Sequence, residues 1–126
     1  MKSKFSLTWL SSTQPRKQRK YRFNAPMHKK GEFLNSRLTK ELALKHGVRN
    51  IRVRSGDKVK ILRGQFKNIE GEVTTVDVTR ERVFIAGAEN VKTDGNKVPY
   101  PIHPSNLLIQ SVTEDKRRFK NVKVNK

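Results

Sequence analysis

The side chains that could do chemistry in this chain of 126 residues are few: three histidines, eleven acidic residues and no cysteine. His28, His46 and His103 lie in separate segments, and none has a carboxylate or second histidine at ligand spacing. No metal site or cofactor is expected. Asp57, Glu70, Glu72 and Asp77 fall in strand-like stretches among lysines such as Lys58, Lys60 and Lys67, which suits solvated charge partners better than an acid/base pair. The absence of cysteine removes disulfides and thiol nucleophiles together. No catalytic residue is assigned, and the chain is not expected to be an enzyme.

Positive charge is abundant instead. Lysine and arginine number 29, and the formal net charge is +18. Such an excess repels itself unless an anionic partner neutralises it. Residues 1–31 carry nine lysines or arginines and no acid, the first being Glu32. PRKQRKYRF, Pro15 to Phe23, sets five cations around two aromatics without apolar periodicity, and reads as an extended arm. It should order only when an anionic partner supplies counter-charge, because fixing each backbone residue costs about 1–2 kcal/mol. No apolar span or lipidation motif indicates membrane insertion, FSLTWL being too short for a signal. No small-molecule substrate is implied, and the cytoplasm is the expected compartment.

The elements that would position these cations follow in order. The arm is taken as residues 1–26, and a helical segment as residues 27–47, where Phe33, Leu34, Leu38, Leu42 and Leu44 recur at three- to four-residue spacing as one helix or two. Thr39 caps a helix that Gly47 ends. A small barrel is taken as residues 48–113, with strands near 58–62, 70–78, 82–86, 90–92 and 107–112 and a hairpin at Asp94-Gly95. It is expected to fold alone. Val59 and Ile61 should face inward, and the parity change between Val73 and Val76 calls for covered faces or a bulge near Thr74 and Thr75. The prolines of VPYPIHP should keep that connector out of the ladder. Residues 114–126 form a second basic tail.

The segment GDKVKILRGQFKNIEGEV, Gly56 to Val73, places a basic, glycine-containing loop between two strands. Arg63 and Lys67 stand at its tip, where phosphate could reach them, while Phe66 either stacks on a base or caps the barrel end. This segment resembles a KOW motif, found in ribosomal proteins and transcription elongation factors and usually folded as an SH3-like barrel. QPRKQRK (Gln14 to Lys20), FNAPMHKK (Phe23 to Lys30), LTKELALKHGVRNIRVRSGD (Leu38 to Asp57) and PIHPSN (Pro101 to Asn106) extend the likeness. Together they resemble the large-subunit ribosomal protein family numbered twenty-four in bacteria and twenty-six in eukaryotes, in its archaeal and eukaryotic form. The resemblance implies a mainly β fold, binding to the 5′ region of large-subunit ribosomal RNA near the peptide tunnel exit, ribosomal protein neighbours and a role in early assembly. Two departures stand out: Asn68 replaces the motif's usual glycine, and residues 1–13 have no counterpart.

The residues expected to contact RNA are Arg16, Lys17, Arg19, Lys20 and Arg22 of the arm and Lys29 and Lys30 after it. Arg49, Arg52, Arg54, Arg63 and Lys67 of the barrel and Arg117 and Arg118 of the tail complete the set. Two rivals are a transcription elongation module, for which the chain is short, and a basic DNA architectural protein, which would show no preference for RNA.

Overall fold

The computed structural model describes residues 5–9 and 11–119. The chain is mainly β, built on an open six-stranded sheet in the order β2-β1-β8-β3-β4-β5. The strands are β1 (Asn35–Leu38), β2 (Asn50–Arg52), β3 (Lys58–Ile61), β4 (Glu70–Asp77), β5 (Arg82–Ile85) and β8 (Leu107–Ser111). A separate hairpin joins β6 (Glu89–Val91) to β7 (Lys97–Pro99) across Asp94-Gly95, as its turn signal implied. Three helices precede most of the sheet: α1 (Pro15–Asn24), α2 (Met27–Phe33) and α3 (Lys40–His46).

Strand β3 follows the simplest rule. Val59 and Ile61 are buried while Lys58 is exposed, because successive strand side chains point to opposite faces. In β4 the register slips between Val73 and Thr75, so the parity conflict is resolved by a bulge at the expected position. Val59, Ile61, Val73, Val83, Ile85, Leu107 and Ile109 form the centre of the core, each at most 1% exposed. Gly71 is required for packing, since a Cβ there would run into the Ala86 carbonyl oxygen.

Several expectations are corrected. The basic run is not extended but helical: Pro15 occupies the first turn, and arginine, lysine and glutamine have high helix propensity. Apolar periodicity is unnecessary because neighbours supply the apolar partners. The Tyr21 ring centroid lies 4.9 Å from that of Phe5, 4.7 Å from Trp9 and 6.3 Å from Phe33. Trp9 thereby gains a place; Leu10 lies outside the described residues.

Residues 27–47 are not wholly helical either. β1 separates α2 from α3, with Ser36 and Leu38 inward and Asn35 and Arg37 outward. Its pairing antiparallel to β2 and parallel to β8 draws a nominally helical segment into the sheet. Leu44, counted in the helical stripe, is 86% exposed. The boundary expected at residue 47 thus falls between two paired strands. The connector also joins the ladder: Val83 and Ile102 exchange two backbone hydrogen bonds, and Val98 and Pro99 lie in β7. Prolines confine pairing to the residues between them and to a strand end, without abolishing it.

Candidate nucleic-acid interface

The expected contact residues fall into three groups. On α1, Arg16, Lys17, Arg19 and Lys20 are exposed and make no ion pair among the described residues. Arg16, Arg19 and Phe23 share a helix face at i, i+3 and i+7, and Phe23 is 81% exposed, an unusual position for a phenylalanine. Lys17 and Lys20 turn with Tyr21 toward Phe5 and Trp9. Arg22 is held between Glu81 at 3.5 Å and the ring of Phe33, whose centroid lies 4.9 Å away.

A second group surrounds the sheet's first edge. Arg49 is exposed beside Arg37 and Lys40 around a cleft that includes Leu44. Arg52 lies against α2 at Gly31, where a Cβ would stand 2.5 Å from the guanidinium and would displace it. Lys29 pairs with Glu32 at 3.2 Å, and Lys30 is half-buried.

The third group sits at the tip between β3 and β4. Arg63 and Lys67 are exposed, and the turn that carries them depends on Gly64 at φ 98° and Asn68 at φ 69°. Asparagine tolerates this left-handed conformation better than most residues, which explains how the motif survives its missing glycine. Phe66 does not project freely. It packs on the core and meets Tyr100 at 5.0 Å, closing the end of the sheet.

The remaining expected contacts, and one histidine, depart from a simple cationic surface. Arg54 is ion-paired with Asp115, and Arg117 follows Asp115 with its backbone N–H bonded to that carboxylate. The Arg118 side chain turns inward. It is 2% exposed, with Nη1 2.7 Å from Asp57 Oδ1, Nη2 2.5 Å from Oδ2, and a third bond of 2.8 Å to the Arg52 carbonyl. Burial works to raise the pKa of Asp57, but the Arg118 hydrogen bonds and the N–H groups of Arg54 and Thr113 outweigh it and hold the carboxyl below its ordinary value. His103 is lowered by burial, then by Arg82 and Arg22. Its Nδ1 accepts the Ser105 N–H at 3.2 Å, so it caps the 3-10 turn Pro104–Asn106.

Sequence reasoning passed over Arg37, Lys40 and Arg82. The first two flank a leucine and a threonine in a stretch read as helix, and the strand that turns Arg37 outward had no detectable alternation over only four residues. No group of three or more potential metal ligands occurs among the described residues, and no helix there is long and apolar enough to cross a membrane.

Residues 12–125 match the family model that describes the ribosomal proteins called L26 in eukaryotes and their archaeal counterparts numbered twenty-four. The chain is 48% identical over 116 residues to the large ribosomal subunit protein uL24 of Methanocorpusculum labreanum, covering 91% of this chain and 96% of that protein. With nearly the whole length matched, the chain belongs to this family of eukaryotic and archaeal ribosomal proteins, structural constituents of the ribosome and not enzymes.

Proposed function

We propose that the protein binds large-subunit ribosomal RNA, in its 5′ region near the peptide tunnel exit, and supports early assembly of the subunit beside neighbouring ribosomal proteins. One observation carries the reading: Arg16, Lys17, Arg19, Lys20, Arg49, Arg52, Arg63, Lys67 and Arg117 are exposed and have no ion-pair partner among the described residues. Cations left unmatched in so basic a chain need an external anion. Arg22, Lys29 and Arg54 contribute to the same field from ion-paired positions and Lys30 from a half-buried one, whereas Arg118 acts inside the fold. The unit from β3 to β8, with its bulge and the Val83–Ile102 bridge, is read as the SH3-like barrel of a KOW protein.

Titration of a 5′ ribosomal RNA fragment between about 50 and 200 mM salt tests this, since each neutralised phosphate adds roughly −0.7 to −0.9 to the logarithmic slope. A slope beyond about −4 is expected. A slope near −1 excludes a footprint of many phosphates.

A further inference from the structure

The tip between β3 and β4 and the connector 100–106 enclose a groove of about 210 Å³ that differs in kind from the basic surfaces around it. Arg63 and Arg82 stand on its wall, with Gln65 and Asn106. Neither side-chain amide makes a hydrogen bond among the described residues. Half-buried Tyr100 lies in the same wall, held by Phe66, together with His103. Because Nδ1 of His103 accepts from the Ser105 N–H, its neutral ring carries the proton on Nε2 and keeps a donor to offer.

These groups are diverse where a phosphate-tracking surface would be uniform. Two guanidinium groups suit a phosphate; two unpartnered amides present both donors and acceptors, as the edge of a base requires; an aromatic ring supplies a flat apolar face. The space is below the roughly 300–1,000 Å³ of ordinary small-molecule sites, so it suits a single base with its phosphate outside and not a helix. A base in a duplex has its edge paired and both faces stacked, so it would meet none of these groups.

We propose that this groove captures a single unpaired nucleotide extruded from the bound RNA, with phosphate toward Arg63 and Arg82 and the base against Tyr100, its edge read by Gln65 and Asn106. The proposal rests on the RNA-binding reading above but adds base contact to charge placement. It makes the loop tip a point of register and gives the connector a recognition role.

The full-length protein is titrated with AMP, GMP, CMP, UMP and, separately, inorganic phosphate, following side-chain NMR signals of Tyr100, His103, Gln65 and Asn106. At least one nucleotide should shift the Tyr100 ring and both amides where phosphate does not. Gln65→Ala with Asn106→Ala should weaken that nucleotide roughly three- to tenfold, as loss of one or two hydrogen bonds implies. Tyr100→Leu should remove the ring-current shifts, and the amide variants keep the test valid if this one fails to fold. Equal shifts with phosphate alone, or nucleotide shifts confined to α1, overturn the proposal. The 5′ RNA titration is run in parallel: intact RNA binding with a silent groove sinks this inference alone, whereas absence of RNA binding sinks both.

Discussion

Two arginine-rich regions, α1 and the segment 113–119, look alike as sequence and do opposite things. In α1 no residue is buried, and of its cations only Arg22 makes an ion pair among the described residues. In 113–119, Arg118 is withdrawn from solvent and bound through two nitrogens to Asp57, while Thr113 donates to the same carboxylate and Phe119 stacks on His46 at 3.9 Å. The difference lies in what faces each region. A buried carboxylate recruits a cation inward; where no acid is at hand, the charge stays available for a partner. Counting cations along a chain measures their number and says nothing of this division.

The largest test removes the N-terminal region altogether. A chain beginning at Val48 lacks β1, and with it Leu34 and Leu38, at 0% and 3% exposure, and the strand that joins β2 to β8. Each large buried side chain is worth about 2–5 kcal/mol, so the fragment should show no cooperative thermal transition. A melt near that of the whole chain would restore an autonomous barrel and make the region an appendage.

Arg118→Met comes next. It leaves Asp57 buried without its counter-ion, which should cost about 3–5 kcal/mol in denaturant unfolding. Arg19→Met should change stability by less than about 0.5 kcal/mol and lower the salt slope of RNA binding by about 1. Equal destabilisation by both would erase the distinction between inward and outward arginines.

Acid should act on the same latch. The carboxyl of Asp57 is held below its ordinary 3.8 in the folded state, so its stabilisation is complete above that value and is withdrawn as pH falls through it toward the lower folded pKa. Melting temperature followed below about pH 5 should decline more steeply in the parent than in Arg118→Met; parallel declines would assign the acid loss to other carboxylates.

The smallest effect concerns how an exposed cation is presented. Asn68→Gly should be neutral or mildly stabilising, and Asn68→Val should cost about 1–2 kcal/mol, because a β-branched side chain is strained at φ 69°. Thermal melts of the three proteins decide it. A valine variant as stable as the parent would mean that the tip carrying Arg63 and Lys67 does not depend on this turn.

Much of the sheet was legible because its signals are local. Val59 and Ile61 alternate with lysines, Asp94-Gly95 marks a hairpin, and the parity of Val73 and Val76 narrows β4 to covered faces or a bulge, of which the bulge is found. What escaped was set by distant partners. Asn35–Leu38 is a strand because β2 and β8 receive it, and α1 is ordered against Phe5, Trp9 and Phe33, residues its own periodicity does not contain. For the interface, exposure of the α1 cations followed from the lack of acids nearby. Burial of Arg118 did not, since Asp57 lies 61 residues away.

The parallel pairing of Arg37 with Leu108 and Leu38 with Ile109 also sets a timetable. Strand β8 lies between β1 and β3, yet it is the last of the strands to be synthesised, so the open sheet cannot be completed until residues 107–111 are made. Until then the inner edges of β1 and β3 lack their partner, and an unpaired edge invites pairing with other chains. The two halves of this sheet, β1-β2 and β3-β4-β5, can be joined only when residues 107–111 are available, and any factor that shields the half-built sheet must hold it until then.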